Sequence, residues 1–294
     1  MDDLLQRSWA GDGWTVERQA LHLTGVVAAD DVEAWRPGPL PRRRFEVLDG
    51  LNLVAELPGE GRDAIAIVAH HDTVNGSPGA DDNGSGVVAL LELARLLAGR
   101  RFRHTVVLAA PDFEEIGLIG SAELVPWLMA RYSLRGVIVF DAIGYADPAP
   151  GTQAVPPGLD WIYPGQLRRL RSRGNAGDAV LGIYRGSSTW LMREWARCLA
   201  ATLGRDRILL LRDPLDLPLV GRLAARLPAA RNFSRSDHVP FWRAGIPAIF
   251  ATDSGNFRNP NYHRPSDLPA TLDYETLAGI IAATAVAVER LASG

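Results

Sequence analysis

Four apolar runs, Ala64 to Ala69, Thr105 to Ala110, Gly136 to Phe140 and Ile246 to Ala251, are short, unbroken and partly β-branched. A strand covered on one face only would alternate apolar with polar, so these runs predict strands buried on both faces, as in a parallel sheet. Between and after them the apolar spacing becomes helical. In Val87 to Ala98 the residues Val87, Leu90, Leu91, Ala94 and Leu97 form one stripe, and Ser188 to Leu203 and Tyr274 to Leu291 repeat that spacing. Gly120 to Tyr132 carries a similar pattern, but Pro126 within it predicts a broken or kinked helix. A further strand is expected at Arg207 to Leu211. Strands alternating with helices define an α/β layered fold. The first 45 residues and most of Gly165 to Arg235 show no clear period, and Ala146 to Pro164 is rich in Pro and Gly and reads as a surface loop.

Composition narrows the picture. The chain has 294 residues, 47% hydrophobic and 22% charged, enough apolar surface for one α/β domain, with the stretch 146–235 expected as an insertion or lid between core strands. Its net charge is −3 and every one of its 31 cations is arginine, which argues against a nucleic-acid partner. The single cysteine, Cys198, cannot form an intrachain disulfide and fits a reducing compartment. Met1 to Ala10 holds two aspartates and no apolar core, and no uninterrupted apolar run reaches the roughly 18 residues of a membrane span, so the expectation is a cytoplasmic protein with no membrane partner.

Open parallel sheets place their chemistry at the carboxyl ends of the strands. The residues there are metal-ligand types. His70, His71 and Asp72 follow the first run, Asp112, Glu114 and Glu115 the second, and Asp141 the third; His263 lies beyond the fourth. An acidic, glycine-rich loop, Gly79 to Gly86 with Asp81 and Asp82, falls between the first strand and its helix. Taken singly, such residues are loop solubilisers or helix caps; their convergence on one sheet edge is what points to a site. In an extended segment His70 and Asp72 share a face, so the imidazole can bind a metal while the carboxylate receives its other ring proton. Neighbouring Glu114 and Glu115 point differently, leaving one free to move a proton. Histidine and carboxylate ligands without cysteine favour a hydrolytic zinc site, with cobalt or manganese as substitutes, over magnesium or calcium.

Five blocks, Ala69 to Asp72, Gly79 to Gly86, Phe113 to Ser121, Phe140 to Tyr145 and Tyr262 to Asp267, resemble in order and spacing the zinc-dependent aminopeptidase family of bacterial leucyl aminopeptidases, glutamate carboxypeptidases and glutaminyl cyclases. The resemblance covers about residues 50 to 145 and 233 to 292. It implies a three-layer sandwich: a mixed, mostly parallel central sheet with helices on both faces. It also implies two zinc ions sharing the carboxylate of Asp81, one also held by His70 and Asp141 and the other by Glu115 and His263. Asp72 would orient His70, Glu114 would be the general base, and the peptide bond between Asp81 and Asp82 would be cis. The implied activity is removal of N-terminal residues from a peptide or aminoacyl substrate. A glutaminyl-cyclase-like, single-zinc acyltransferase is the first alternative, disfavoured because cyclases of the family carry Ser after the bridging aspartate where this chain reads Asp82-Asn83. The second is a non-catalytic binding domain, disfavoured because every ligand is retained.

The remaining chemistry is weaker. Asp237, His238 and Tyr262 are candidates for substrate contact or for structural support of the site, and Ser236 lacks the G-x-S-x-G elbow of a serine hydrolase. A phosphate loop at Gly79 to Gly86 would need a lysine. His71 should face away from the ligands, Cys198 should pack in the core, and Arg168, Arg169, Arg171 and Arg173 read most simply as a solvated face. Trp161, Tyr163, Tyr184, Trp190 and Trp242 read either as core or as the lining of an apolar pocket, which the unaligned 146–235 stretch is expected to supply. Oligomeric state is left open.

Overall fold

The computed structural model describes residues 1–29, 41–218 and 221–294. The chain opens with helix α1 (Asp2–Gly11) and two long antiparallel strands, β1 (Thr15–Ala29) and β2 (Arg42–Leu57). Next come β3 (Asp63–Val68), α2 (Gly84–Leu97), β4 (Thr105–Ala110), α3 (Ile119–Arg131) and β5 (Ser133–Phe140). The second half supplies α4 (Leu159–Ile162), α5 (Pro164–Ser172), β6 (Val180–Tyr184), α6 (Thr189–Leu203) and β7 (Ile208–Arg212). It ends with α7 (Gly221–Ala224), α8 (His238–Arg243), β8 (Ala248–Thr252) and α9 (Tyr274–Ser293).

These strands form one eight-stranded sheet in the order β1-β2-β4-β3-β5-β8-β6-β7. The four predicted apolar runs are its centre: β4, β3, β5 and β8 are mutually parallel, and β2 and β6 flank them antiparallel. Along β3 the side chains alternate between two cores. Ile67 joins α2, α6 and α9 on one face, while Ala64, Ala66 and Val68 join α3, α5 and α8 on the other. Burial on both faces explains why these strands read as continuous apolar runs. The fold is thus the mixed, mostly parallel sheet with helices on both sides that the sequence implied.

Four features depart from expectation. Helix α3 runs without a break from Ile119 to Arg131 through Pro126; Pro126 lacks the amide that would bond one turn back, but buried Leu124, Val125 and Leu128 hold the helix on the sheet. The stretch 146–235 is more than a lid, since its β6 and β7 complete one end of the sheet. Among the aromatic residues read as core or pocket, Tyr163 and Trp242 are buried but Trp161 is 89% exposed. Helix α9, with a mean hydropathy of 1.4 over its apolar window, is long and apolar enough to cross a membrane; here Leu277, Ile280, Ile281 and Val288 are buried in the core shared with α2 and α6. Cys198 is buried on α6 in that same core.

Candidate metal centre

The carboxyl ends of β3, β4 and β5 lie side by side, and the loops after them converge. His70 is 1% exposed. Its Nδ1 donates to the Asp72 carbonyl at 3.1 Å, with the Asp72 carboxylate at 3.4 Å, which turns Nε2 toward the acidic cluster. The Asp72 carboxylate also accepts from the backbone amides of Glu114 and Glu115, each at 3.1 Å. One carboxylate therefore orients the histidine on one strand end and fixes the paired glutamates on the next. His71 faces the other way, its Nε2 donating to the Leu51 carbonyl at 2.9 Å.

The aspartate between the histidines is Asp82, not Asp81. Asp82 Oδ1 lies 3.4 Å from His70 Nε2 and Asp82 Oδ2 lies 3.0 Å from His263 Nε2. Asp81 is turned away: its Oδ1 accepts from Gly144 N at 2.8 Å and its Oδ2 from Asn259 Nδ2 at 2.7 Å. Asp81 thus ties together the loops after β3, β5 and β8, while the Asp267 carboxylate holds the Asp81 and Asp82 amides at 3.0–3.2 Å. The cis peptide bond is likewise one residue on from the expected place, between Asp82 and Asn83. Two adjacent aspartates in a glycine-rich loop offer no spacing signal to tell them apart; only the partners at Gly144, Asn259 and Asp267 decide which one faces the cluster.

Around Asp82 the other groups close in. His263 Nε2 is 3.3 Å from Glu115 Oε2, and His70 Nε2 is 3.8 Å from Asp141 Oδ1. Two sets, His70 with Asp82 and Glu115, and His70 with Glu114 and Asp141, bring ligand atoms within 4.8 Å of one another. His70 Nε2, Asp82 Oδ1 and Glu115 Oε1 are buried and lack any hydrogen-bond partner among the described residues. Buried polar atoms are rarely left orphaned, and three of them aimed into one acidic pocket suit a bound cation. Three residues at the site, Phe113, Ala142 and His263, hold φ values of 55°, 51° and 58° despite carrying side chains, the kind of backbone strain that gathers at functional sites. No sequence pattern announced it.

The electrostatics follow from crowding acids in a buried pocket. Burial pushes Glu114 well above the ordinary carboxylate range, and Asp141, Glu115 and Asp237 add to the rise against the pull of His70. Burial and Asp82 raise Glu115 to about 7. Burial opposes protonation of His263, yet hydrogen bonds to Asp82 and Glu115 outweigh it and lift the group to about 10. Asp237, fully buried, is driven to about 7 by burial against the pull of His70 and Ser121. Tyr262 stacks on His263, with ring centroids 3.9 Å apart.

His238 faces away from the ligands, stacked on Phe250 at 4.6 Å with its Nε2 donating to the Phe233 carbonyl. Burial lowers its pKa from 6.5 to about 3. Because this group is neutral when folded and protonates more readily when unfolded, its contribution is complete above pH 6.5 and is lost as pH falls toward 3. The stability difference between wild type and His238→Phe should therefore shift against wild type across that window in urea titrations; a difference independent of pH would refute the assignment.

Beside Asp141 and Tyr262 opens an apolar cavity of about 110 Å³. Leu167 and Leu170 of α5, Leu181 and Ile183 of β6, and Phe250 of β8 line it. Most of this wall comes from 146–235.

An α/β sheet with histidines and carboxylates gathered at its parallel strand ends defines the class: an α/β fold with a candidate metal centre at its strand ends. Residues 52–179 and 219–288 match Peptidase family M28, and the chain belongs to that family. It is 31% identical over 242 residues to Uncharacterized protein YfbL of Escherichia coli, covering 78% of this chain and 68% of that one. It is 28% identical over 235 residues to Aminopeptidase YwaD of Bacillus subtilis, covering 76% of this chain but 40% of the relative; the chain spans less than half the length of that aminopeptidase. Among solved structures, the zinc aminopeptidase BSAP of Bacillus subtilis superposes with a TM-score of 0.60 at 22% identity, over 87% of this chain and 53% of that one. Porphyromonas gingivalis glutaminyl cyclase does so at 0.65 and 18%, over 99% and 88%. At these identities the structures speak to the fold alone.

Proposed function

We propose that the chain is a dinuclear zinc aminopeptidase: His70 and Asp141, with Asp82, would hold one ion, and Glu115 and His263, with Asp82, would hold the other. The observation that carries this reading is the division of the Asp82 carboxylate, one oxygen toward each histidine. Three carboxylates and two histidines offer the oxygen and nitrogen donors that zinc takes. Bound zinc supplies Lewis acidity, polarising the scissile carbonyl and acidifying water at neutral pH.

The protein's own groups do the rest. Glu114, held by burial well above the ordinary carboxylate range, accepts a proton from the attacking water and returns it to the nitrogen of the leaving amine. Asp72 holds His70 in one orientation and pins the Glu114 amide, so the base stays in register with the ligands. The apolar cavity beside Asp141 takes the side chain of the residue to be released. An apolar cavity of roughly 150 Å³ accommodates benzene, so the smaller space of about 110 Å³ suits one branched aliphatic group. Leu181→Trp, which fills this space, should raise KM for leucyl substrates about tenfold and leave alanyl substrates unchanged; equal effects on both would show that the cavity is not the specificity pocket.

A hydrolysis screen of aminoacyl and N-blocked peptides with added zinc or cobalt, combined with metal analysis, tests the whole reading. Two metals per chain and cleavage restricted to free amino termini support it. One metal with cyclisation of N-terminal glutamine, or preference for blocked peptides, overturns it. Binding also couples to folding: a ligand at a hundredfold excess over its Kd adds about 2.7 kcal/mol. Chelation should therefore lower Tm on the order of 5–10 °C, measured by calorimetry, whereas an unchanged Tm would mean that no ion is held in this pocket.

A further inference from the structure

The sheet's far end carries a second feature that the catalytic reading does not use. β7 is a terminal strand, and its residues 208–211 read Ile-Leu-Leu-Leu. Just past its end, Asp213 N donates to Tyr184 O of β6, so the odd positions face β6 and the even ones turn their backbone outward. On that outer side Leu210 O meets the Gln166 side-chain amide at 3.5 Å, a weak contact. Helices α5 and α6 stand on either side of this edge and enclose an open groove of about 1010 Å³, given depth by the small side chains Ala196 and Ala200.

Four arginines, Arg169, Arg193, Arg197 and Arg205, line the groove. Arg197 is paired with Glu194, and Arg169 donates to Arg205 O with Asp206 at 4.0 Å. The guanidinium groups of Arg193 and Arg205, both exposed, have no hydrogen-bond or ionic partner among the described residues. Residues 208–211 are apolar and the cations stand on the banks of an open channel, in a chain whose net charge is −3.

We propose that this groove binds an extended acidic segment of a partner protein, which adds alongside β7 as a ninth strand. Backbone pairing to the outward groups of Ile208 and Leu210 supplies register, and alternate side chains of the added strand reach toward the arginines on either bank. A second copy of this chain does not fit the charge: self-pairing would set the uncompensated Arg193 and Arg205 against their own copies. The proposal rests on neither the metal site nor the peptidase reading, so the two can fail separately.

The test is fluorescence anisotropy with the whole protein and a labelled, N-acetylated, C-amidated octapeptide of alternating glutamate and valine. Saturable binding is expected. It should weaken with salt, fall about tenfold in the exposed double variant Arg193→Glu/Arg205→Glu, and fall again when proline replaces a central valine and removes a ladder amide. Peptidase activity of the double variant should equal wild type. Equal binding by the double variant, equal binding of the proline peptide, or capture of a single-stranded oligonucleotide in place of the peptide would each overturn the proposal.

Discussion

Replacing Glu114 by Gln should lower kcat by about 10²–10⁴-fold while leaving the metal content of the protein unchanged. Glutamine keeps the shape of the side chain and its hydrogen-bonding reach but cannot take or give the proton. The environment makes the case for this residue over its neighbour. Glu114 sits with Asp141 and His70, and burial among like charges holds it well above the ordinary carboxylate range. Glu115, by contrast, faces His263 at 3.3 Å. Steady-state kinetics and metal analysis on the same preparation separate the roles: loss of metal along with activity in Glu114→Gln would make Glu114 a ligand, and retention of activity would remove it from the chemistry.

Asp82→Ala should abolish activity and weaken retention of both ions by more than about a hundredfold, since even the partners that merely orient a ligand cost roughly 10–100-fold when removed. Asp81→Asn should behave quite differently. Its carboxylate binds Gly144 N and Asn259 Nδ2, so the substitution leaves a buried donor facing a donor. The expected cost is about 1–3 kcal/mol of stability with metal content retained. Equilibrium metal competition and urea unfolding on both variants read these effects independently. The reverse pattern, with Asp81→Asn losing the metals and Asp82→Ala keeping them, would return the bridging role to the residue that the sequence alone pointed to.

That pair also shows where the sequence stopped being informative. His70, Glu114, Glu115, Asp141 and His263 were each legible because they directly follow buried strands or sit in distinctive blocks, and all come together at one sheet edge. The choice between Asp81 and Asp82 was not, because it depends on Gly144, Asn259 and Asp267, which lie more than 60 residues away along the chain. The central strands were legible because burial on both faces leaves an unbroken apolar run. β1 was not: Thr15 to His22 mixes Glu17, Arg18 and Gln19 with apolar residues on a half-exposed end strand, and its pairing with β2 supplies the order that its own pattern lacks. β6 was hidden for another reason. It is five residues long, with Gly182 at its middle where a Cβ would lie 2.8–3.0 Å from Leu210 and Met192, so close packing against neighbours replaced the apolar bulk that would have marked a strand.

The most direct test of the account is an anomalous difference map collected at the zinc edge from crystals grown with zinc. The account predicts two peaks within ligating distance of the Asp82 carboxylate, one beside His70 and Asp141 and the other beside Glu115 and His263. A single peak, or ions held by Asp81 with Asp82 turned away, would contradict it.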